Sequence, residues 1–198
     1  MSVFVPRAAG DVAGLIAAHP LAWIVSNGPG GFVSTPLPLL AERDGEGRVT
    51  ALFGHFAKRN PHVAALMADP RAAMLFQGEQ GYVSPRLVSK PAWGPTWNYA
   101  VARFETEVTF VPEETRSAVE RLAAHLEGTG AGAWTIAEMG ARVLPMLEQI
   151  IAFRARVISE QVTFKLGQDE SAQTFEEIVT RHPNGALADA MRGAARKG

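Results

Sequence analysis

The chain contains no cysteine. Disulfides, thiolate metal sites and cysteine nucleophiles are excluded, and a reducing cytoplasm is the natural setting to expect. An excess of charge of either sign is also lacking: 19 Lys and Arg oppose 20 Asp and Glu, for a net charge of −1. Nothing global draws such a chain to a nucleic-acid backbone, and no helix-turn-helix stands out, so direct DNA binding is not expected. The basic tail of Arg192, Arg196 and Lys197 is small and reads as a solvated terminus. Long apolar runs are missing too. The longest early one, residues 12–25, follows Asp11 and is broken by His19-Pro20, so neither a signal peptide nor a membrane span is expected.

Other chemistry is absent by pattern. The five histidines, His19, His55, His62, His125 and His182, show no zinc-protease spacing, and no metal site is expected. Gly28-Pro29-Gly30-Gly31 lacks the lysine of a phosphate-binding P-loop and opens no helix, which makes it a tight hairpin. No internal repeat or low-complexity segment occurs.

What remains is an ordinary globular composition, 198 residues with 47% hydrophobic and 20% charged, long enough to bury a real core. Asp11 opens a short helix that His19-Pro20 ends. Residues 21–26 and 32–39 are extended around the Asn27 to Gly31 turn, and Pro36 and Pro38 mark the second as an edge strand because proline donates nothing to a ladder. Residues 49–56 form a third strand. Asn60-Pro61 then caps and opens a helix over 61–67. Residues 72–77 and 82–84 are short strands around a Gly78/Gly81 reversal, followed by a loop over 85–95 holding three prolines. Residues 98–110 are the longest strand candidate, alternating Phe104, Thr106, Val108 and Phe110 against Glu105, Glu107 and Thr109.

Pro112-Glu113-Glu114 opens a helix whose Val119, Leu122, Ala123 and Leu126 follow the spacing of one apolar face. A second helical stretch over 135–147 should kink at Pro145, and residues 151–158 alternate as a final strand. The tail from Ser171 is helical. Six or seven short strands, mostly hairpin-linked, predict an antiparallel barrel with peripheral helices rather than a parallel doubly wound sheet.

Two segments carry candidate chemistry, while Glu105 and Glu107 fit a solvated strand exterior. Gly54 to Pro61 combines a strand end, His55, the cations Lys58 and Arg59, and the helix start at Asn60, a geometry suited to an anion through side chains and helix N-terminal amides. A capped basic turn is the plain structural alternative. Gly94 to Tyr99 places Thr96, Trp97, Asn98 and Tyr99 beside the long loop, a density that suits a planar ligand or a core.

Gly54-His55-Phe56-Ala57, Asn60-Pro61, Phe76-Gln77-Gly78, Tyr82-Val83-Ser84-Pro85 and Pro95-Thr96-Trp97-Asn98-Tyr99, in this order and spacing, resemble the PaiB-type FMN-binding negative transcriptional regulators. Leu37-Pro38-Leu39, and Phe164-Lys165-Leu166 with Gln168, extend the likeness nearly end to end. The resemblance implies an α+β, mostly β fold: a split antiparallel β-barrel of the pyridoxine-phosphate-oxidase-like kind with peripheral and C-terminal helices. Residues 1–198 would form one FMN-binding domain, with 112–148 a helical insertion and 171–198 a helical tail. It further implies a homodimer with FMN in the groove between subunits, in the cytoplasm that the lack of cysteine leads one to expect. His55, Lys58, Arg59 and Asn60 would lie on the phosphate side, Thr96, Trp97, Asn98 and Tyr99 would form a wall near the ring system, and Lys165 and Gln168 would approach from the C-terminal segment.

Three stretches depart from the family's usual pattern. Pro36 stands where histidine is usual, Arg86-Leu87-Val88 replaces Ser-Trp-Tyr, and Asp169-Glu170 replaces Asn-Arg. Two carboxylates beside a phosphate are unfavourable unless they are turned away from it. Three readings follow: an FMN-binding PaiB-like protein, a flavin-dependent oxidoreductase, or a diverged split-barrel enzyme or binding protein that has lost FMN and uses the same interface pocket for a small planar or phosphorylated ligand.

Overall fold

A computed structural model describes residues 3–28 and 30–196. Pro29 of the predicted turn, and Lys197 and Gly198 of the tail, lie outside the described residues. Seven strands form one antiparallel sheet: β1 (Leu21–Gly28), β2 (Gly31–Pro38), β3 (Leu40–Arg43), β4 (Val49–Ala57), β5 (Arg71–Val83), β6 (Thr96–Phe110) and β7 (Ile150–Lys165), in the order β2-β1-β5-β6-β7-β4-β3. The two outermost strands, β2 and β3, are consecutive in the chain with only Leu39 between them. Opposite edges of the sheet are thereby brought to one point, which curls it into a split barrel. Leu39 is fully buried and its amide donates to the Pro20 carbonyl at 2.8 Å. Gly54 makes the crossing possible, because a Cβ there would sit 2.6 Å from a Leu39 methyl.

Inside, Phe56 and Phe153 meet with ring centroids 4.9 Å apart, and Phe76 meets Phe104 edge-on at 5.9 Å. Each such ring contributes about 1.5–3 kcal/mol of burial. Helix α1 (Ala9–Ala18) packs Val12, Leu15 and Ile16 into this core. Helix α2 (Pro61–Ala68) lies against β1 and β2, while α5 (Ala172–Arg181) and α6 (Gly185–Arg196) bury Ile178, Leu187 and Met191 against Val83 and Leu166.

The structure corrects several local expectations. Gly78 and Gly81 do not reverse the chain: β5 runs through them with a register shift between Gln77 and Gln80. They are glycines because neighbours press on them, Leu15 to within 2.3 Å of a Cβ at Gly78 and Leu187 to within 3.0 Å at Gly81. Strand β3 went unpredicted, a four-residue edge with no room for a period. β7, at 16 residues, exceeds β6 at 15. The 135–147 stretch breaks at Gly140 (φ 56°) instead of at Pro145, which sits in the first turn of α4 (Val143–Glu148), where its missing N–H costs nothing. Helix α3 (Thr115–Glu127) buries Thr115 and Ala118, while Leu126 of the predicted stripe is exposed. The guanidinium groups of Arg121 and Arg154 lie over Phe53, 4.5 and 5.0 Å from its ring centroid, where an apolar stripe would have packed.

Candidate functional site

The end of β4 and the start of α2 form the first cluster. His55 is half-buried, and its Nδ1 is buried with no hydrogen-bond partner. Desolvation lowers its pKa, so the ring is neutral at pH 7. Lys58 and Arg59 are exposed, and their side chains make no hydrogen bond or ion pair among the described residues. Asn60 is differently employed. Its Oδ1 accepts the His62 amide at 2.9 Å, capping α2, and its Nδ2 donates to Thr35 Oγ1 at 3.3 Å. The Val63 amide goes to the Asn60 carbonyl at 3.0 Å, and Pro61 has no N–H. The expected free amides at this helix start are thus largely spent, which leaves the two cations as its anion-binding groups.

Behind this turn lies a polar relay that sequence reasoning missed. His62 is fully buried, with Nε2 2.8 Å from Ser26 Oγ and Nδ1 3.0 Å from Thr35 Oγ1. Desolvation depresses its pKa as well. The network fastens α2 to the β1–β2 hairpin, directly after Lys58 and Arg59 in the chain. The signal in the sequence was weak: Ser26 shares strand parity with the core residues Ala22 and Ile24, and His62 stands second in its helix.

The second cluster is at the other end of the sheet. Trp97 is exposed, donates from Nε1 to Gln80 at 2.6 Å and faces Tyr82 with ring centroids 6.0 Å apart. Tyr99 pairs across to Lys165, whose ammonium donates to Thr96 Oγ1. Asn98 is turned the opposite way, is buried beneath α6, and approaches Met191 Sδ at 3.5 Å. Gln168 closes the turn after β7, accepting the Leu166 amide at 2.7 Å and donating to the Phe164 carbonyl. The carboxylate of Glu170 is occupied as well: it accepts from Trp93 Nε1 at 3.1 Å, while Asp169 is exposed.

The two clusters do not meet within one chain. His55 pairs with Ala152 and Tyr99 with Lys165, both on β7. Thirteen residues separate those partners (165 − 152), roughly 40 Å of strand. On the other side of β6, the outer face of β2, β1 and β5 carries exposed Phe32, Leu21, Trp23 and Leu75, with Trp23 directly opposite Leu75. Glu105 and Glu107 are tied on the solvated exterior to Arg103 and Arg156 and do not form an acid pair.

Residues 2–159 match the family model described as "Putative FMN-binding domain". The chain belongs to that family. Protease synthase and sporulation protein PAI 2 of Bacillus subtilis (strain 168) is 24% identical over 168 residues, 81% of this chain and 77% of that protein. Among solved structures, the FAD and heme binding protein of Mycobacterium smegmatis superposes with a TM-score of 0.61 at 18% identity, covering 89% of this chain and 79% of that one. A conserved hypothetical protein of Mycobacterium tuberculosis gives a TM-score of 0.61 at 15% identity, covering 83% and 89%. This PaiB-type chain therefore has the split-barrel fold of flavin-binding proteins.

The residues fit the family's cofactor. FMN needs cations for its phosphate, apolar faces for its ring and a few donors, and the chain offers Lys58 and Arg59 without partners, an orphaned His55 Nδ1, and exposed Trp97 and Tyr82. Among the described residues no group of three or more potential ligands could hold a metal ion. No helix among them is long and apolar enough to cross a membrane.

Proposed function

We propose that this chain is a homodimer binding FMN in two equivalent grooves between subunits. In each groove one protomer supplies Lys58 and Arg59 to the phosphate and His55 beside it, and the ring rests near the partner's Trp97 and the partner's Tyr99. Thr96 and Lys165 hold that second wall in shape, and Asn60, Asn98 and Gln168 support the site from behind. Once bound, FMN supplies one- and two-electron redox chemistry. The observation carrying the reading is the pair of unpartnered cations beside the orphaned His55 nitrogen, set apart along β7 from the aromatic wall.

Support for dimerisation comes from the exposed Trp23, Leu75, Leu21 and Phe32 on one sheet face, an apolar patch of the kind a second subunit covers. The proposed dimer works in the cytoplasm as one unit, with 112–148 an insertion and 171–198 a tail over the barrel. Any transcriptional effect is indirect, given the net charge of −1.

Titration of the purified chain with FMN, followed by flavin fluorescence and sedimentation, tests the reading. One FMN per chain on a dimer is expected. A monomer persisting at all concentrations, or a dimer that takes up no FMN, would overturn it.

A further inference from the structure

A second cleft lies away from the proposed flavin groove, between α1, β3 and α3, with a volume of about 520 Å³. None of the ten residues assigned to flavin by resemblance lines it. Its apolar side is formed by Ala17, Leu40, Ala41 and Ala124 over the buried Ile16 and Leu39, and its polar side by Arg43, Arg121 and His125, with no acidic residue in the lining.

Four arginines and four carboxylates stand around the cleft, and they are paired unequally. Arg121 donates to Glu42 at 3.0 Å, but Glu42 also takes Arg154 at 2.7 Å, and Arg154 in turn takes Glu114. Two guanidinium groups and two carboxylates thus balance one another. Asp44 and Glu46, in the turn after β3, are both turned to Arg48. Arg43 is left over, exposed and without a hydrogen bond or ion pair among the described residues. The geometry of its neighbours is held from two sides. Stacking on Phe53 fixes the Arg121 stem, and His125 Nε2 donates to the Ala17 carbonyl at 2.8 Å, pinning α3 to the last turn of α1. The wall contributed by α1 is low at Gly10 and Gly14, where a Cβ would meet nothing within 4 Å. Glycine inside a helix is unfavourable relative to alanine, and packing does not require it here.

We propose that this cleft binds an amphipathic organic anion, a carboxylate or phosphate monoester on an apolar chain or ring. The oxyanion is held by Arg43 and the free edge of Arg121, because a guanidinium fork matches two oxygens of such a group. The apolar body lies on Leu40 and the floor beside it. A neutral ligand of the same shape leaves Arg43 unmatched, and inorganic phosphate forgoes the floor.

Calorimetric titration of the FMN-loaded full chain with octyl phosphate and with octanoate, both below micelle-forming concentrations, tests this. One site per chain is expected for at least one of the two, with 1-octanol binding at least about tenfold more weakly. Arg43→Gln should weaken the anion about tenfold or more, and Ala17→Leu, which builds into the cleft, should abolish it. FMN affinity in both variants should stay within about twofold of the parent, which shows that they fold. Lys58→Ala should leave octyl phosphate binding intact, separating this site from the flavin groove. Absence of binding by either anion, binding unmoved by both cleft variants, or binding lost in Lys58→Ala would overturn the proposal.

Discussion

His55 and Tyr99 stand across from the same strand at positions thirteen residues apart, His55 opposite Ala152 and Tyr99 opposite Lys165. A flavin is far shorter than the roughly 40 Å this spacing spans along an extended strand. The cationic and aromatic clusters of one chain therefore serve different ligands, or serve one ligand only through a second chain.

Lys58 and Arg59 have no intramolecular role to lose. Replacing both with Ala should leave the melting temperature nearly unchanged while removing charge-assisted bonds worth about 1.5–3 kcal/mol each, weakening FMN at least roughly tenfold. Riboflavin, without a phosphate, should bind the variant as it binds the parent. Parallel fluorescence titrations check this, and equal loss of both flavins would move the phosphate elsewhere.

Asn60 should behave in the opposite way. Its side chain is committed to the His62 amide and to Thr35. Asn60→Ala should cost about 1–2 kcal/mol in denaturant unfolding, the usual price of an N-cap, and change FMN affinity little at a temperature where the variant is folded. Asn60→Asp, which keeps the capping oxygen, should recover most of the stability.

The buried histidines predict a direction for stability against pH. Desolvation depresses the folded pKa of both His55 and His62, so the unfolded chain takes up protons first as pH falls. Their contribution is fully present above about pH 6.5, the unfolded value, and is lost as pH drops below it toward the depressed folded values. Urea midpoints from pH 8 to 5 should fall in that window, and His62→Gln should flatten part of the decline. An unchanged slope in the variant would show that His62 does not titrate differently on folding.

Glu170 bears on flavin binding through its position. Its carboxylate is held by the Trp93 indole, which fixes the negative charge against the loop before β6 and away from the Lys58 and Arg59 turn that the proposal gives to the phosphate. Glu170→Ala should therefore not tighten FMN beyond about twofold, and should instead loosen the loop before β6, costing about 1 kcal/mol with a shift in Trp emission. A tenfold gain in FMN affinity would instead place the carboxylate against the cofactor.

Legibility in the sequence followed the range of the forces involved. The Pro36 and Pro38 edge, the Asn60 cap, the alternating face of β6 and the barrel class rest on local geometry, and all are present. Gly78 and Gly81 misled, since a glycine that opens a turn and one that admits a neighbouring leucine look the same until Leu15 and Leu187 are placed. The stripe on α3 misled because its own Arg121 lies over Phe53 of β4 beside Arg154 of β7, a stack whose other members come from distant segments. Within the site, Lys58, Arg59 and the aromatics were visible as types. The Ser26–His62–Thr35 relay was not, because its members meet only when α2 folds back on the first hairpin. The carboxylate of Glu170 gave no hint of its partner for the same reason.

The composite groove itself is tested most directly by mixing two defective chains. Lys58→Ala/Arg59→Ala lacks the phosphate side and Trp97→Ala lacks part of the ring wall, so each homodimer should bind FMN poorly. After denaturation and refolding together in equal amounts, half of the dimers should be mixed, and each mixed dimer should carry one intact groove. Roughly a quarter of all sites should then bind FMN with parental affinity. Recovery of no sites beyond those of the separate variants would contradict a groove shared between two chains.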